Sequence, residues 1–218
     1  MHAHFYRRKL PHWQPAEATF FITFRLNGSI PKSVIKSIES NFLRLQTKIL
    51  NAPFLYPAIK SQYLEKEKKR LFVKQDEFLD QNPNAPYWLK MPEIAKILMA
   101  EILIRSPKWY KVWAVCIMPN HVHLLITLEP GAPVLFRVLQ SIKSFSARKA
   151  NQVLKRTGPF WELESYDHIV RNTDAFLRIT KYILHNPVKA NFVKKWEDWR
   201  FTYLNPDIYH HFSLIPAP

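Results

Sequence analysis

Residues 108–128, KWYKVWAVCIMPNHVHLLITL, constrain the fold of this chain more than any other stretch. Two β-rich runs are separated by Pro119 and Asn120. Pro suits the first central position of a tight turn and Asn tolerates the second, so 108–118 and 121–128 are expected to pair as an antiparallel hairpin. Along the second run, side chains two apart share a face. Val122, Leu124, Ile126 and Leu128 make one uniformly aliphatic face, which has to be buried. His121, His123 and Leu125 make the other. One histidine in a strand is most simply a satisfied structural residue. Two side by side must both find partners or stay wet. Such a pair is also the way a strand offers two ligands to one ion.

The remaining elements follow from local patterns. The β-branched and aromatic run 19–26, TFFITFRL, reads as an opening strand. Pro31 then starts a helix to about residue 50, with Val34, Ile38, Phe42, Leu45 and Ile49 at helical spacing. A charged helix is expected over about 58–80 and another from Pro92, with the stretch 51–108 forming a helical insertion. After the hairpin, 134–155 is a long basic helix and 158–171 a loop running into a short strand. A helix over 173–187 is expected to be capped by Thr173 and ended by Pro187. Residues 204–218 remain as a tail on what is otherwise one domain, 1–218. This order predicts an α+β fold, a ferredoxin-like split βαβ sandwich whose antiparallel sheet carries helices on one face.

Several function classes are excluded. A chain with three glycines offers no glycine-rich phosphate loop. The histidine-triad hydrolase pattern fails because Leu125 stands where its third alternating histidine is needed. No apolar run approaches the roughly 20 residues of a membrane span, and no amphipathic anchor suggests a membrane partner. The single cysteine, Cys116, rules out an internal disulfide, fits a cytoplasmic location, and is expected to pack within its strand.

Charge points to a polyanion. The net charge is +15, with eight basic against two acidic residues in 1–50 and twelve against six in 141–200. With aromatics interleaved, nucleic acid is the commonest partner for such a surplus. Lys143, Arg148 and Lys149 on the basic helix are candidate DNA contacts, although a solvated face explains them equally well. Trp109, Trp113, Trp161, Trp196 and Trp199 are candidate stacking residues, each more simply accounted for in the core.

On the helix 173–187, Phe176, Ile179, Thr180, Ile183 and Leu184 form one apolar stripe. Tyr182 and Asn186, four apart, stack on its edge. From the helix alone, a boundary tyrosine with its ring in the core and hydroxyl in water explains the pair at least as well as a functional role.

The motifs MPNHVHLL, SIKSFSARKAN, GPFWELESYDHIVR and YILHNPVKANFV, in that order, resemble the REP-associated tyrosine transposases, single-tyrosine members of the HUH nuclease superfamily. The likeness covers roughly residues 19–26 and 109–203. It implies that His121 and His123, with Asn186, bind a divalent metal, magnesium or manganese in that family, although imidazole ligands suit manganese better than magnesium. It also implies that Tyr182 is the nucleophile, with single-stranded or hairpin DNA as substrate in a nucleoid-associated setting, and it leaves room for a homodimer. Where the family commonly has glycine, this chain has Asn191, which also tolerates a left-handed cap, so the turn is expected to survive. The rivals to a strand transferase are a domesticated, non-catalytic protein that binds folded nucleic acid, and a metal-dependent hydrolase that uses water in place of tyrosine.

Overall fold

The computed structural model describes residues 4–7, 11–14 and 17–212. It divides into two compact units, one formed by 1–27 with 87–218 and the other by 28–86.

The first unit is built on a five-stranded antiparallel sheet. Its strands are β3 (Thr19–Arg25), β4 (Tyr110–Ile117), β5 (His121–Leu128), β6 (Tyr166–Val170) and β7 (Thr202–Leu204), in the order β6-β3-β5-β4-β7. A separate two-stranded ribbon precedes it, β1 (His4–Arg7) against β2 (Pro11–Gln14). The hairpin β4–β5 forms as its sequence requires, and the amide of Met118 donates to the carbonyl of His121 across the turn at 2.9 Å.

Burial of one sheet face explains the register. Phe20, Ile22 and Phe24 of β3 and Val122, Leu124 and Ile126 of β5 all enter the main core. On β4 the core residues are Tyr110, Val112, Val115 and Ile117, which strict alternation cannot supply. A bulge between Val112 and Ala114 inserts the extra residue and returns the strand to phase. Two helices cover this face. They are α3 (Pro92–Leu103), through Ile94, Leu98 and Ile102, and α4 (Leu135–Val153), through Leu135, Val138 and Ile142. The α+β architecture expected from the sequence is therefore the one that forms, an antiparallel sheet with α3 and α4 layered on one face.

The opposite face is crossed by α5 (Thr173–Lys189), whose Phe176 meets Trp113 of β4 edge-on at 5.4 Å and whose Tyr182 meets Phe21 of β3 at 5.9 Å. Its ends differ from expectation. The cap is Asn172, not Thr173: the Asn172 side chain accepts the amide of Ala175 at 2.8 Å. Asparagine in an extended conformation reaches that amide, and Thr173 is already helical. Nor does Pro187 end the helix. It lies within the final turn, buried, and the helix continues to Lys189. A proline so close to the end removes a single intrahelical donor, and the chain then closes through Ala190 and Phe192 amides onto the Asn186 and Pro187 carbonyls. Asn191 adopts φ 59°, so the left-handed turn survives without glycine.

The second unit is a helical hairpin, α1 (Lys32–Leu50) and α2 (Pro57–Gln81). Its two ends are tied by the Asn82 side chain, which donates to the Ser29 carbonyl at 2.9 Å. No helix among the described residues is long and apolar enough to cross a membrane.

The packing makes a stability prediction. Leu124 is fully buried at the centre of the sheet, whereas Leu163 is 67% exposed. Leu124→Ala should cost about 2–5 kcal/mol in urea unfolding. Leu163→Ala should change stability by no more than about 0.5 kcal/mol.

Candidate metal and nucleophile site

The two histidines converge because their strand is buried on its other side. With Val122, Leu124 and Ile126 committed to the core, His121 and His123 must share the face toward α5. Their Nε2 atoms lie 3.0 Å apart, and their rings meet edge to face with centroids 4.7 Å apart. Both side chains are fully buried, at 1% and 0% exposure.

Each imidazole is held by its other nitrogen. His121 Nδ1 lies 2.6 Å from Asn120 Oδ1, and His123 Nδ1 lies 2.8 Å from Thr23 Oγ1. A carbonyl oxygen only accepts, so His121 Nδ1 carries the proton and its Nε2 presents a lone pair. The Thr23 hydroxyl can donate or accept. His123 can therefore turn its own Nε2 lone pair inward without losing a hydrogen bond. Two inward lone pairs repel unless a cation lies between them. This is the arrangement that a metal-ligating histidine needs: one nitrogen toward the ion, the other fixed by an oxygen.

The tyrosine helix supplies two further groups. Tyr182 is half-buried, and its ring meets that of His123 at 5.3 Å. Asn186 is 1% exposed, and neither its Oδ1 nor its Nδ2 has a hydrogen-bond partner among the described residues. An unpartnered buried amide is costly, on the order of 1–3 kcal/mol, and is a donor set waiting for a ligand. Asn186 is not at the edge of the apolar stripe, as its spacing suggested, but inside it with Thr180, Ile183 and Leu184. Two imidazole nitrogens and an amide oxygen carry no charge. They fit a divalent cation and leave its charge available to an anion.

The structure thus joins His121, His123 and Tyr182 through direct ring contacts. The cationic residues of α4 lie elsewhere, since that helix covers the core face of the sheet. Arg148 and Lys149 are exposed there, and Arg148 lines an open basic groove with Asn151, Lys155 and Arg156. Lys143 turns inward, donating to the Glu162 carbonyl at 2.6 Å, the Leu163 carbonyl at 3.1 Å and Ser165 Oγ at 3.1 Å. The tryptophans are largely packed: Trp161 and Trp196 are buried, Trp113 donates to Thr127 Oγ1, and Trp199 donates to the Ile117 carbonyl. Cys116 is buried in β4, opposite His123 in the register.

Two residues of the site are not evident in the sequence. Asn120 reads there as a turn residue only. It is oriented because its carbonyl accepts the Leu26 amide at 2.8 Å, while the Pro119 carbonyl accepts that of Leu89 at 3.1 Å. Thr23 stands among aromatics in β3, and its role depends on a register that pairs it with His123. The available signal was alternation, which places Phe21, Thr23 and Arg25 on one face.

These contacts generate a prediction about metal affinity. Asn120→Ala and Thr23→Val should each weaken manganese binding about 10–100-fold in calorimetric titration, with the far-UV circular dichroism unchanged. Binding by the wild-type protein should weaken as the pH falls, because only neutral imidazole ligates.

Comparison with known proteins covers the span that holds this site. Residues 95–186 match the family model described as Transposase IS200 like, a span that holds both histidines and ends on Asn186. The chain is 28% identical over 109 residues to a REP-associated tyrosine transposase of Escherichia coli, covering 50% of this chain. It is 25% identical over 108 residues to a Haemophilus influenzae protein assigned to the same kind, covering 45% of this chain. The matches span 63% and 61% of those relatives' own lengths. The fold is similar to a solved REP-associated tyrosine transposase bound to a REP hairpin, with a TM-score of 0.53 at 17% identity, covering 97% of this chain and 87% of that one. Residues 95–186 are thus similar in sequence to the IS200-like transposases that the motifs resemble, and the fold is similar to that of a REP-associated tyrosine transposase.

Proposed function

We propose that this chain is a metal-dependent endonuclease and strand transferase for single-stranded, hairpin-containing DNA, acting through a 5′-phosphotyrosine intermediate. The observation that carries this reading is the contact between Tyr182 and His123, with the unpartnered amide of Asn186 one helical turn along from the tyrosine. A binding protein that never cut DNA would have no use for this combination. His121, His123 and Asn186 would hold the ion, which we take to be magnesium or manganese. When bound, such an ion supplies positive charge to a non-bridging phosphate oxygen.

The chain's own groups do the rest. Tyr182 Oη forms a bond to phosphorus, the phosphorus–O3′ bond breaks, and the released 3′ oxygen takes up a proton. The tyrosyl proton passes to solvent. Attack by another strand's 3′ hydroxyl reverses these steps, so no nucleotide cofactor is needed. The Phe21 ring against Tyr182 holds the phenol over the sheet and limits the water that would compete with it. Arg148, in the basic groove at the end of α4, and the exposed Lys149 beside it in sequence are read as contacts to the duplex part of a hairpin. Lys143 would act there by fixing the loop that follows α4. We read α2, within 51–108, as an addition to the family pattern, since α3 belongs to the core of the sheet and lies largely inside the matched span, and a second copy of the chain as a compatible partner.

The nucleophile is tested directly. Tyr182→Phe removes only the attacking oxygen, so hairpin binding and thermal stability should persist. Covalent adduct, seen as a shifted band of labelled DNA on a denaturing gel, should vanish. His121→Ala should lose the adduct too, as should wild-type protein in chelator. An adduct that persists in Tyr182→Phe would transfer the role to Tyr166 or Tyr203. Cleavage with no adduct would favour a water-using hydrolase. A second expectation concerns salt: on single strands each neutralised phosphate contributes about −0.7 to the log–log slope of affinity against salt. Replacing Arg148 and Lys149 together should flatten that slope.

A further inference from the structure

We propose that Arg25 is a phosphate-binding catalytic residue of this site, held in readiness by Glu162 and transferred to the DNA strand when it binds. This rests on the reading of the site as one for phosphoryl transfer. In the β3–β5 register Thr23 stands opposite His123, and Arg25 stands opposite His121. The Thr23–His123 hydrogen bond fixes both side chains on one sheet face. Arg25, two residues on, shares that face beside the histidine pair. Its side chain is 14% exposed, which for an arginine is substantial desolvation.

A largely desolvated guanidinium, in register beside two metal-type imidazoles, is a poor choice for holding a cation alone. The charges repel, and the repulsion is stronger out of water. The arrangement becomes favourable when an anion lies between them. A phosphodiester has two non-bridging oxygens, one for the ion and one for the guanidinium, and arginine is the side chain best matched to it.

In the absence of DNA the charge is covered by Glu162, whose Oε2 lies 3.3 Å from Arg25 Nη1. That separation is longer than the roughly 2.7–2.9 Å of a strong charge-assisted hydrogen bond. The carboxylate is placed by backbone, not by the ion pair: the Glu162 amide donates to the Arg25 carbonyl at 2.9 Å, and Trp161 bridges to Leu26 in the same register. Lys143 then clamps the loop through the Glu162 and Leu163 carbonyls. Glu162 therefore stays in position when Arg25 leaves it. The carboxylate screens Arg25 from the metal site until a phosphate takes its place.

The test compares single-turnover adduct formation by wild-type, R25Q, R25K and E162Q proteins, with manganese affinity and melting temperature measured alongside. R25Q should slow adduct formation roughly ten- to hundredfold, the size of one charge-assisted contact, while retaining manganese binding. R25K should recover part of the rate. E162Q, which only unmasks the arginine, should remain within about threefold of wild type. If Arg25 and Glu162 form only a structural pair, R25Q and E162Q will be equally slow, and that result overturns the proposal, as does an R25Q rate equal to wild type. Where R25Q alone is unstable, the R25Q/E162Q double variant leaves neither charge uncompensated and should show the same loss. If the wild-type protein forms no adduct with any strand, the transferase reading itself fails and the role of Arg25 falls with it.

Discussion

The structure turns on two buried imidazole nitrogens held within 3.0 Å of each other, a distance at which one N–H can donate to the other and at which two inward lone pairs can share an ion. Each feature around the pair fixes it. The aliphatic face of β5 is committed to the core beneath α3 and α4, so the histidines cannot rotate away by a slip of register. Thr23 and Asn120 occupy the outer nitrogens. The tight Pro119–Asn120 turn keeps Asn120 beside His121, and two neighbouring backbone amides hold that turn still. Stability thus lies mainly on one sheet face and the candidate site on the other.

The same division explains how much could be read from the sequence. The histidine pair was legible because alternation within a strand is local: His121 and His123 share a face in any strand conformation. The helices and most strands were legible for the same reason, through apolar spacing and prolines at helix starts. What needed the fold was everything set by pairing between distant segments. Thr23 and Arg25 have meaning only once β3 is laid against β5, about a hundred residues away, in a particular register. The bulge in β4 is another case, since Val112 and Val115 share a face only because an extra residue intervenes. The ends of α5 depart from the expected ones for local reasons: extended Asn172 reaches the Ala175 amide one residue before Thr173, and a proline in the last turn removes only one intrahelical donor. The role proposed for Tyr182 is not legible from its helix alone. It required the resemblance to a family, and its proximity to His123 now gives that resemblance a physical basis.

Positive charge in this chain is used in distinct ways. Lys143 spends its ammonium on loop carbonyls. Arg156 lies over the Trp88 ring at 4.1 Å and donates to Asn151 Oδ1 at 3.1 Å, closing the end of α4. Arg148 and Lys149 stay in solvent. Arg25 instead combines a largely desolvated side chain with a register position beside the histidines. A count of basic residues gives the net attraction to a polyanion, whereas the contacts distinguish scaffold from surface and surface from site.

The central claim is that the phenol of Tyr182 becomes joined to a DNA 5′ phosphate at a metal-loaded histidine pair. Peptide mapping by mass spectrometry, after reaction with a single-stranded hairpin substrate in manganese and digestion with trypsin and nuclease, addresses it most directly. The account predicts a nucleotide phosphate on the peptide Tyr182–Lys189, located on the tyrosine and absent when chelator is present. A nucleotide on any other residue, or efficient cleavage that leaves every peptide unmodified, would contradict it.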